Sequence, residues 1–316
     1  VLIDLDRGEI IDIPNLMYEV FCYNQNVNST IDELKKHFNY EYSHGIDKII
    51  EFCLNKKLGF LTEEPEIFHD INLFFETPYL LTNAVIEYSN NSHYSIENVI
   101  SWLNEYGCQA IEIRLLGKYP ENFVTNLMNK FNNSRITKFD IVLKFSEKID
   151  VVLFSKNMFS KHPRIASFIF YSTPKGLEKK EFVHNKTISL ISIDVESKFI
   201  EKKTRNSFSC SLIAFSEAQS YNLGLNKKIS INRFGKLKNY LTHEEEFGDV
   251  TQESIRCFTE NVYLQNKWEI SNNNIETCKD CQYRYVCVDN SPISQRNGLY
   301  YRANPCDFDP YHNLWI

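Results

Sequence analysis

Tyr79-Leu80-Leu81-Thr82-Asn83-Ala84-Val85-Ile86-Glu87-Tyr88 reads as a buried strand, and the residues after it repeat a strand–helix unit. Ser95-Ile96-Glu97-Asn98 opens a helix with apolar positions at Val99, Ile100 and Leu103. Ala110-Ile111-Glu112-Ile113-Arg114-Leu115-Leu116 is the next strand, followed by a helix through Phe123, Leu127 and Met128. The runs 139–143, 165–170 and 188–193 continue the series. Strands alternating with helices favour a parallel sheet with right-handed crossovers, and residues 69–215 are expected to form a partial (β/α) barrel.

Active sites of such folds form in the loops after the strands, and these loops carry no recognisable chemistry. Asn90-Asn91-Ser92-His93 lacks Cys, and Gly117-Lys118-Tyr119-Pro120 has one Gly and no phosphate-cradling repeat. His162, His184 and the other histidines have no partner at catalytic spacing. His243-Glu244-Glu245-Glu246 falls short of a zincin motif, because Phe247 stands where the second His belongs. Each lone His is therefore read as a surface or packing residue.

Upstream, Val1-Leu2-Ile3-Asp4-Leu5 and Glu9-Ile10-Ile11-Asp12-Ile13 flank Asp6-Arg7-Gly8, a hairpin signal. Pro14 opens a helix through Leu16, Val20 and Phe21, and Thr30-Ile31-Asp32-Glu33 is a capping box. Ile46, Ile49, Ile50, Cys53 and Leu54 mark a third helix ended by Gly59, and Phe60-Leu61-Thr62 reads as a final short strand. Residues 1–68 are thus expected to form a winged-helix-like module that binds peptide by strand addition on the hairpin edge. The third helix mixes Asp47 and Glu51 with Lys48, Lys56 and Lys57, a poor face for reading DNA. The chain opens on Val1, inside an extended run, which implies that residues precede it.

With 316 residues, two or three domains are expected. A net charge of −6 argues against a nucleic-acid surface, and the basic spots Lys202-Lys203/Arg205 and Lys227-Lys228/Arg233 read as solvated faces. No apolar run approaches the roughly twenty residues that span a bilayer, and no signal peptide is present. Five of the nine cysteines (Cys22, Cys53, Cys108, Cys210, Cys257) lie without framework spacing, which fits a reducing cytoplasm.

The other four are packed differently. Cys278-Lys279-Asp280-Cys281-Gln282-Tyr283-Arg284-Tyr285-Val286-Cys287, closed by Cys306, is a Cys-x2-Cys-x5-Cys-x18-Cys set. Four thiolates suit a closed tetrahedral zinc or an iron–sulfur cluster, and the x2 spacing lets two sulfurs from one turn share an ion. Residues 216–316, with a hairpin over 228–239 around Gly235 and a helix-like stretch from Asp249 to Asn261, form the domain that carries this set.

These segments resemble a known family. The runs 226–231, 235–239, 278–287 and 306–311 are similar to the SPASM-domain peptide maturases of grasp-with-spasm systems, as are Thr82-Asn83-Ala84 and the stretch from Leu58 to Pro65. The resemblance covers most of the chain. It implies an N-terminal precursor-recognition module, a middle domain related to the radical-SAM partial barrel, a ribosomally made precursor peptide, and a partner ATP-grasp ligase. The Cys-x3-Cys-x2-Cys triplet of a working radical-SAM enzyme is missing, so S-adenosylmethionine is not expected. The positions matching the thiolates of a second, inner cluster are Gly224, Tyr240 and Asn290 or Ser291. The outer four match as Cys278, Cys281, Cys287 and Cys306.

Ligand type does not separate zinc from [4Fe-4S]. A lone cluster without an electron partner has no redox task, so zinc is favoured, while the family precedent favours [4Fe-4S]. The sequence therefore reads as a cytoplasmic accessory protein that binds a precursor peptide and presents it to the ligase, with neither nucleic acid nor membrane as partner. The alternative is an iron–sulfur enzyme that modifies the precursor directly; a zinc-containing nucleic-acid binder is disfavoured by the acidic balance.

Overall fold

The computed structural model describes residues 1–26, 29–196, 207–252, 261–304 and 306–316. The strands expected from the central repeat form as β3 (Asn83–Ser89), β4 (Ala110–Leu116), β5 (Lys138–Lys144), β6 (Ile165–Tyr171) and β8 (Lys186–Leu190), once β1 (Leu2–Asp4), β2 (Glu9–Ile11) and β7 (Lys179–Val183) are counted in chain order. The intervening helices are α4 (Ile96–Glu105), α5 (Glu121–Lys130) and α6 (Val151–Lys161), after α1 (Asn15–Asn26), α2 (Ile31–His37) and α3 (Ser43–Asn55). Later come α7 (Leu212–Ser220), β9 (Lys228–Ile231), β10 (Lys236–Lys238), β11 (Gly248–Asp249), α8 (Val262–Trp268), and the hairpins β12 (Ile293–Arg296)/β13 (Leu299–Arg302) and β14 (Phe308–Asp309)/β15 (Leu314–Trp315).

One sheet of nine strands, in the order β11-β10-β9-β3-β4-β5-β6-β8-β7, organises the chain. Its six central strands, β9 to β8 in that order, run parallel, and β10, β11 and β7 are antiparallel additions at the edges. The fold is thus mixed α/β with a large central mixed sheet. The hairpin expected around Gly235 is β9–β10, with Gly235 in the left-handed region at φ +85°. The strand β7 was not expected. Its Lys-Lys-Glu-Phe-Val composition and its exposed pattern suit an edge, where charge discourages pairing with another chain.

The two faces of the sheet differ in chemistry. Cross-strand register puts Ile86, Ile113, Ile141 and Phe168 in one row, all buried against Val99, Ile100, Leu103, Leu127 and Phe159 from the helices. The adjacent row is Glu87 and Arg114 beside Val142, and the one before it is Glu112, Asp140 and Ser167. An alternating strand must send these to the opposite face, which is therefore polar. There Arg114 Nε donates to Glu112 at 2.5 Å and Tyr171 Oη donates to Glu196 at 3.0 Å.

Helix α4 starts where the sequence places it: Ser95 accepts the Asn98 N–H at 3.2 Å as its N-cap. Ser95→Ala should lower stability by about 1 kcal/mol, read from the shift of the denaturant midpoint at unchanged slope.

In the N-terminal region the capping box forms, with the Glu33 N–H on Thr30 Oγ1 at 3.3 Å and the Thr30 N–H on the Glu33 carboxylate at 2.8 Å. Met17, Val20, Leu34, Ile46 and Ile49 make a small core between α1, α2 and α3. Two features depart from the expected winged helix. Phe60-Leu61-Thr62 forms no strand, and Phe60 and Leu61 lie exposed. The β1–β2 hairpin also presents Val1, Ile3 and Ile10 to a different cluster, made by Tyr283, Val286 and Phe308 of the cysteine segment. The helix-like stretch expected up to Asn261 and the basic spot at 202–205 lie mostly or wholly outside the described residues.

Candidate functional site

The cysteine segment folds as a series of tight turns. Thr277, at φ +69°, leads into a 3-10 turn over Cys278–Asp280, and the Cys281 N–H closes it on the Cys278 carbonyl at 3.0 Å. This is the close turn that Cys-x2-Cys spacing predicts. Cys287 is held from two sides: its N–H bonds the Tyr283 carbonyl at 3.0 Å, and it bridges Phe208 antiparallel. Tyr283 stacks on Phe208 with ring centroids 4.7 Å apart and meets Phe308 edge-on at 4.9 Å, while Phe308 lies 5.0 Å from Trp315. The hairpin β1–β2 seats on this aromatic patch, beside Cys281 and Cys210.

Donors approach two of the four sulfurs, while burial disfavours charge on three. The Tyr283 N–H points at Cys281 Sγ at 3.4 Å and the Phe308 N–H at Cys306 Sγ at 3.5 Å. The positive charge of the Arg302 guanidinium acts to lower the Cys278 thiol. Burial pushes the Cys281 thiol up to about 11 and raises those of Cys278 and Cys287, and a charge on Cys306 raises all three further. As placed, no three His, Cys, Asp or Glu side chains among the described residues are grouped to hold a metal ion. The chemistry of the four thiols is that of a soft-metal donor set, and two backbone N–H groups lie near its sulfurs. Because burial raises the Cys278, Cys281 and Cys287 thiols, any ion taken up there must displace their protons.

The places matched to a second cluster are filled with a different structure. Gly224 lies so close to Asp289 that a Cβ there would stand 2.2 Å from the Asp289 carbonyl oxygen. Tyr240, Asn290 and Ser291 are buried beside it, with Asn239, His243 and Asp289 also buried. Arg302 ties this polar knot together, donating to the Asp289 and Ser291 carbonyls at 3.1 Å each and to Asn272 Oδ1 at 2.8 Å. Lys228 Nζ donates to Asn290 Oδ1 at 3.0 Å, and Lys227 Nζ to the Tyr79 carbonyl at 2.8 Å. The pair read as a solvated basic spot is therefore a pair of structural tethers.

Beside the knot, against the polar face of the sheet, lies a cleft of about 810 Å³. Its walls include Glu87 and Arg114 from β3 and β4, Arg233 and Phe234 from the β9–β10 turn, and His243. Arg114 is only 6% exposed and donates from Nη2 to Tyr240 Oη at 3.3 Å. Burial raises the Glu87 carboxyl against the pull of Arg114 and Arg233. His243, read from sequence as a surface or packing residue, is 3% exposed and bonds the Asn290 carbonyl through Nε2 at 2.9 Å. The sequence signal for this cleft was faint: Arg114 and Glu87 sit inside apolar strands, where a charge demands an explanation.

No protein-family model matches this chain, and no match came from the curated proteins or the solved structures.

Proposed function

We propose that the chain is an accessory protein of peptide maturation that holds a ribosomally made precursor on its N-terminal hairpin and presents it to an ATP-grasp ligase. The observation that carries this reading is the β1–β2 sheet. It has two strands, and among the described residues its outer edges pair with nothing. A lone two-stranded sheet is marginal in water, and here its apolar side is clamped on the Tyr283–Phe308–Trp315 patch. A rigidly mounted hairpin with open edges is suited to receive an extended peptide as a third strand.

The rest of the architecture accords with this role. On this reading the α1–α3 pack beside the hairpin would serve as the recognition module, the strand–helix repeat as a degenerate partial barrel, and the last hundred residues as a SPASM-like domain. One metal on Cys278, Cys281, Cys287 and Cys306, zinc in preference to [4Fe-4S], would close that last domain and stiffen the patch beneath the hairpin. A ligase needs a docking surface. The segment joining the two N-terminal parts displays Phe60, Leu61, Ile71 and Phe74, the last 74% exposed, interleaved with Glu63, Glu64, Glu66 and Asp70. No helix among the described residues is long and apolar enough to cross a membrane, and the cytoplasmic, nucleic-acid-free setting rests on the reducing cysteine pattern and the acidic charge.

The test is direct binding of a fluorescein-labelled precursor peptide to the full chain. Successive N–H groups of a strand point to opposite sides, so of Leu2→Pro and Ile3→Pro one removes an outward donor. One of these two variants should bind the peptide at least tenfold more weakly while the α1–α3 helices keep their circular dichroism. Equal binding by the wild type and both variants would sink the reading.

A further inference from the structure

His243, on the wall of the cleft beside the polar knot, keeps an unanswered hydrogen-bond acceptor. His243 Nε2 gives its proton to the Asn290 carbonyl, which leaves Nδ1 as the bare nitrogen of that tautomer. Nδ1 is buried and has no partner among the described residues, although buried polar atoms are nearly always paired. Burial, reinforced by Lys267, Arg302 and Lys238, brings the ring down to about 4, so it stays neutral and accepting at physiological pH. Such an atom calls for a donor, a hydroxyl or an amide N–H.

The cations around the cleft narrow the choice. Arg114 is engaged by Glu112 and Tyr240, Lys238 Nζ by the His243 carbonyl at 2.8 Å, and Lys267 by Glu245. Of the four cations of the lining, Arg233 alone has no ion pair among the described residues; its guanidinium rests over the Phe234 ring, 5.4 Å from the centroid. The turn that carries it is fixed, since Ser92 Oγ donates to the Arg233 carbonyl at 2.8 Å. Against the four cations the lining sets four carboxylates, Glu87, Glu196, Glu244 and Glu245, so it is close to neutral. A phosphate would bring up to two further negative charges, whereas a single carboxylate matches one planar guanidinium in bidentate fashion. Leu241 and Ile293 supply an apolar wall for a short aliphatic stem. The volume falls within the roughly 300–1,000 Å³ usual for ligand sites.

We propose that this cleft recognises an acidic amino-acid unit, its side-chain carboxylate on Arg233 and a hydrogen-bond donor of the same ligand on His243 Nδ1. The unit could be free or part of a peptide, and the two sources share this chemistry. The inference goes beyond the accessory reading, because the cleft is lined by neither the hairpin nor the α1–α3 pack. Its failure would leave precursor binding by the hairpin untouched, and the reverse also holds.

The experiment titrates full-chain protein with three probes by calorimetry: N-acetyl-glutamate N-methylamide, its γ-methyl ester, and acetyl-Gly-Glu-Gly-Gly-amide. The acid should bind with a dissociation constant of roughly millimolar or tighter, and the ester at least tenfold more weakly. Arg233→Ala, at a half-buried turn position, should weaken acid binding tenfold or more without moving the melting temperature, and Arg233→Lys should recover part of it. His243→Gln should weaken it as well; if that buried variant does not fold, the Arg233 pair still decides. Tighter binding of the tetrapeptide assigns the site to peptides, and equal binding assigns it to a free acidic metabolite. Absence of binding by every probe, an ester as good as the acid, or an unchanged Arg233→Ala protein overturns the proposal.

Discussion

Cys281→Ser protein, purified without oxygen, is expected to lack the single equivalent of metal proposed for the wild type, and to melt in two steps rather than one. The first step should be the cysteine segment and the second the sheet with α4–α6. A structural metal on thiolates supplies folding free energy outright, apparent values of about 10–16 kcal/mol in small zinc modules, so removing one ligand of four is a large change. The effect should also spread. Cys281 borders the patch of Tyr283, Val286 and Phe308 on which Val1, Ile3 and Ile10 sit, so the β1–β2 amides should lose protection from hydrogen exchange. Elemental analysis with an absorbance scan near 400 nm reads both the loss and the identity of the metal, zinc being silent there and [4Fe-4S] not. Unaltered metal content and unaltered melting in the variant would remove the four-cysteine site from consideration.

Gly224→Ala should be the most damaging single methyl group in the chain. Its Cβ would stand 2.2 Å from the Asp289 carbonyl oxygen, 2.6 Å from the carbonyl carbon and 3.1 Å from the Asn290 nitrogen. All three are backbone atoms, so no side chain can rotate away and the chain segments themselves must part. Overpacking costs typically 1–3 kcal/mol and more where backbone must move, so a loss of about 3 kcal/mol or greater is expected. That corresponds to a fall in melting temperature on the order of 5 °C. Gly59→Ala, with open space around the new methyl group, should be close to neutral and serves as the control. Displacing Asp289 and Asn290 would also shift the carbonyl that holds His243, so acidic probes should bind Gly224→Ala more weakly than wild type.

The central sheet was legible because its strands are long apolar runs and its helices carry explicit start signals. Ser95 and the Thr30/Glu33 box cap the helices they were expected to cap. Edges and small hairpins were harder to read. Lys179–Val183 pairs as β7 although its residues look like a solvated loop. The β12–β13 hairpin was missed despite a local cue: Asn297-Gly298, both at positive φ (+51° and +81°), is a strong two-residue turn signal. The four cysteines stood out by spacing, whereas the cleft did not. Its residues come from β3, β4, the β9–β10 turn, the loop after β10, α8, β12 and the residues after β8, and the parallel pairing of β9 with β3 is among the long-range contacts that bring them together. The docking of the hairpin on the cysteine segment likewise depends on a tertiary contact across nearly the whole chain, which no local pattern announces.

That docking has a bearing on how the protein is made. Residues 1–11 leave the ribosome long before residues 283–315, which provide the surface they need. At the ~5–20 residues per second of synthesis, the hairpin waits on the order of tens of seconds with Ile3 and Ile10 bare. The α1–α3 pack and the strands from β3 to β6 can form meanwhile, since their contacts close locally. A nascent chain therefore exposes the proposed peptide-binding element in an unanchored form until the cysteine segment has been translated. On the proposed reading, precursor capture should thus become available only once residues 283–315 have been made, so that translation order itself keeps chains that lack the cysteine segment from competing for the peptide.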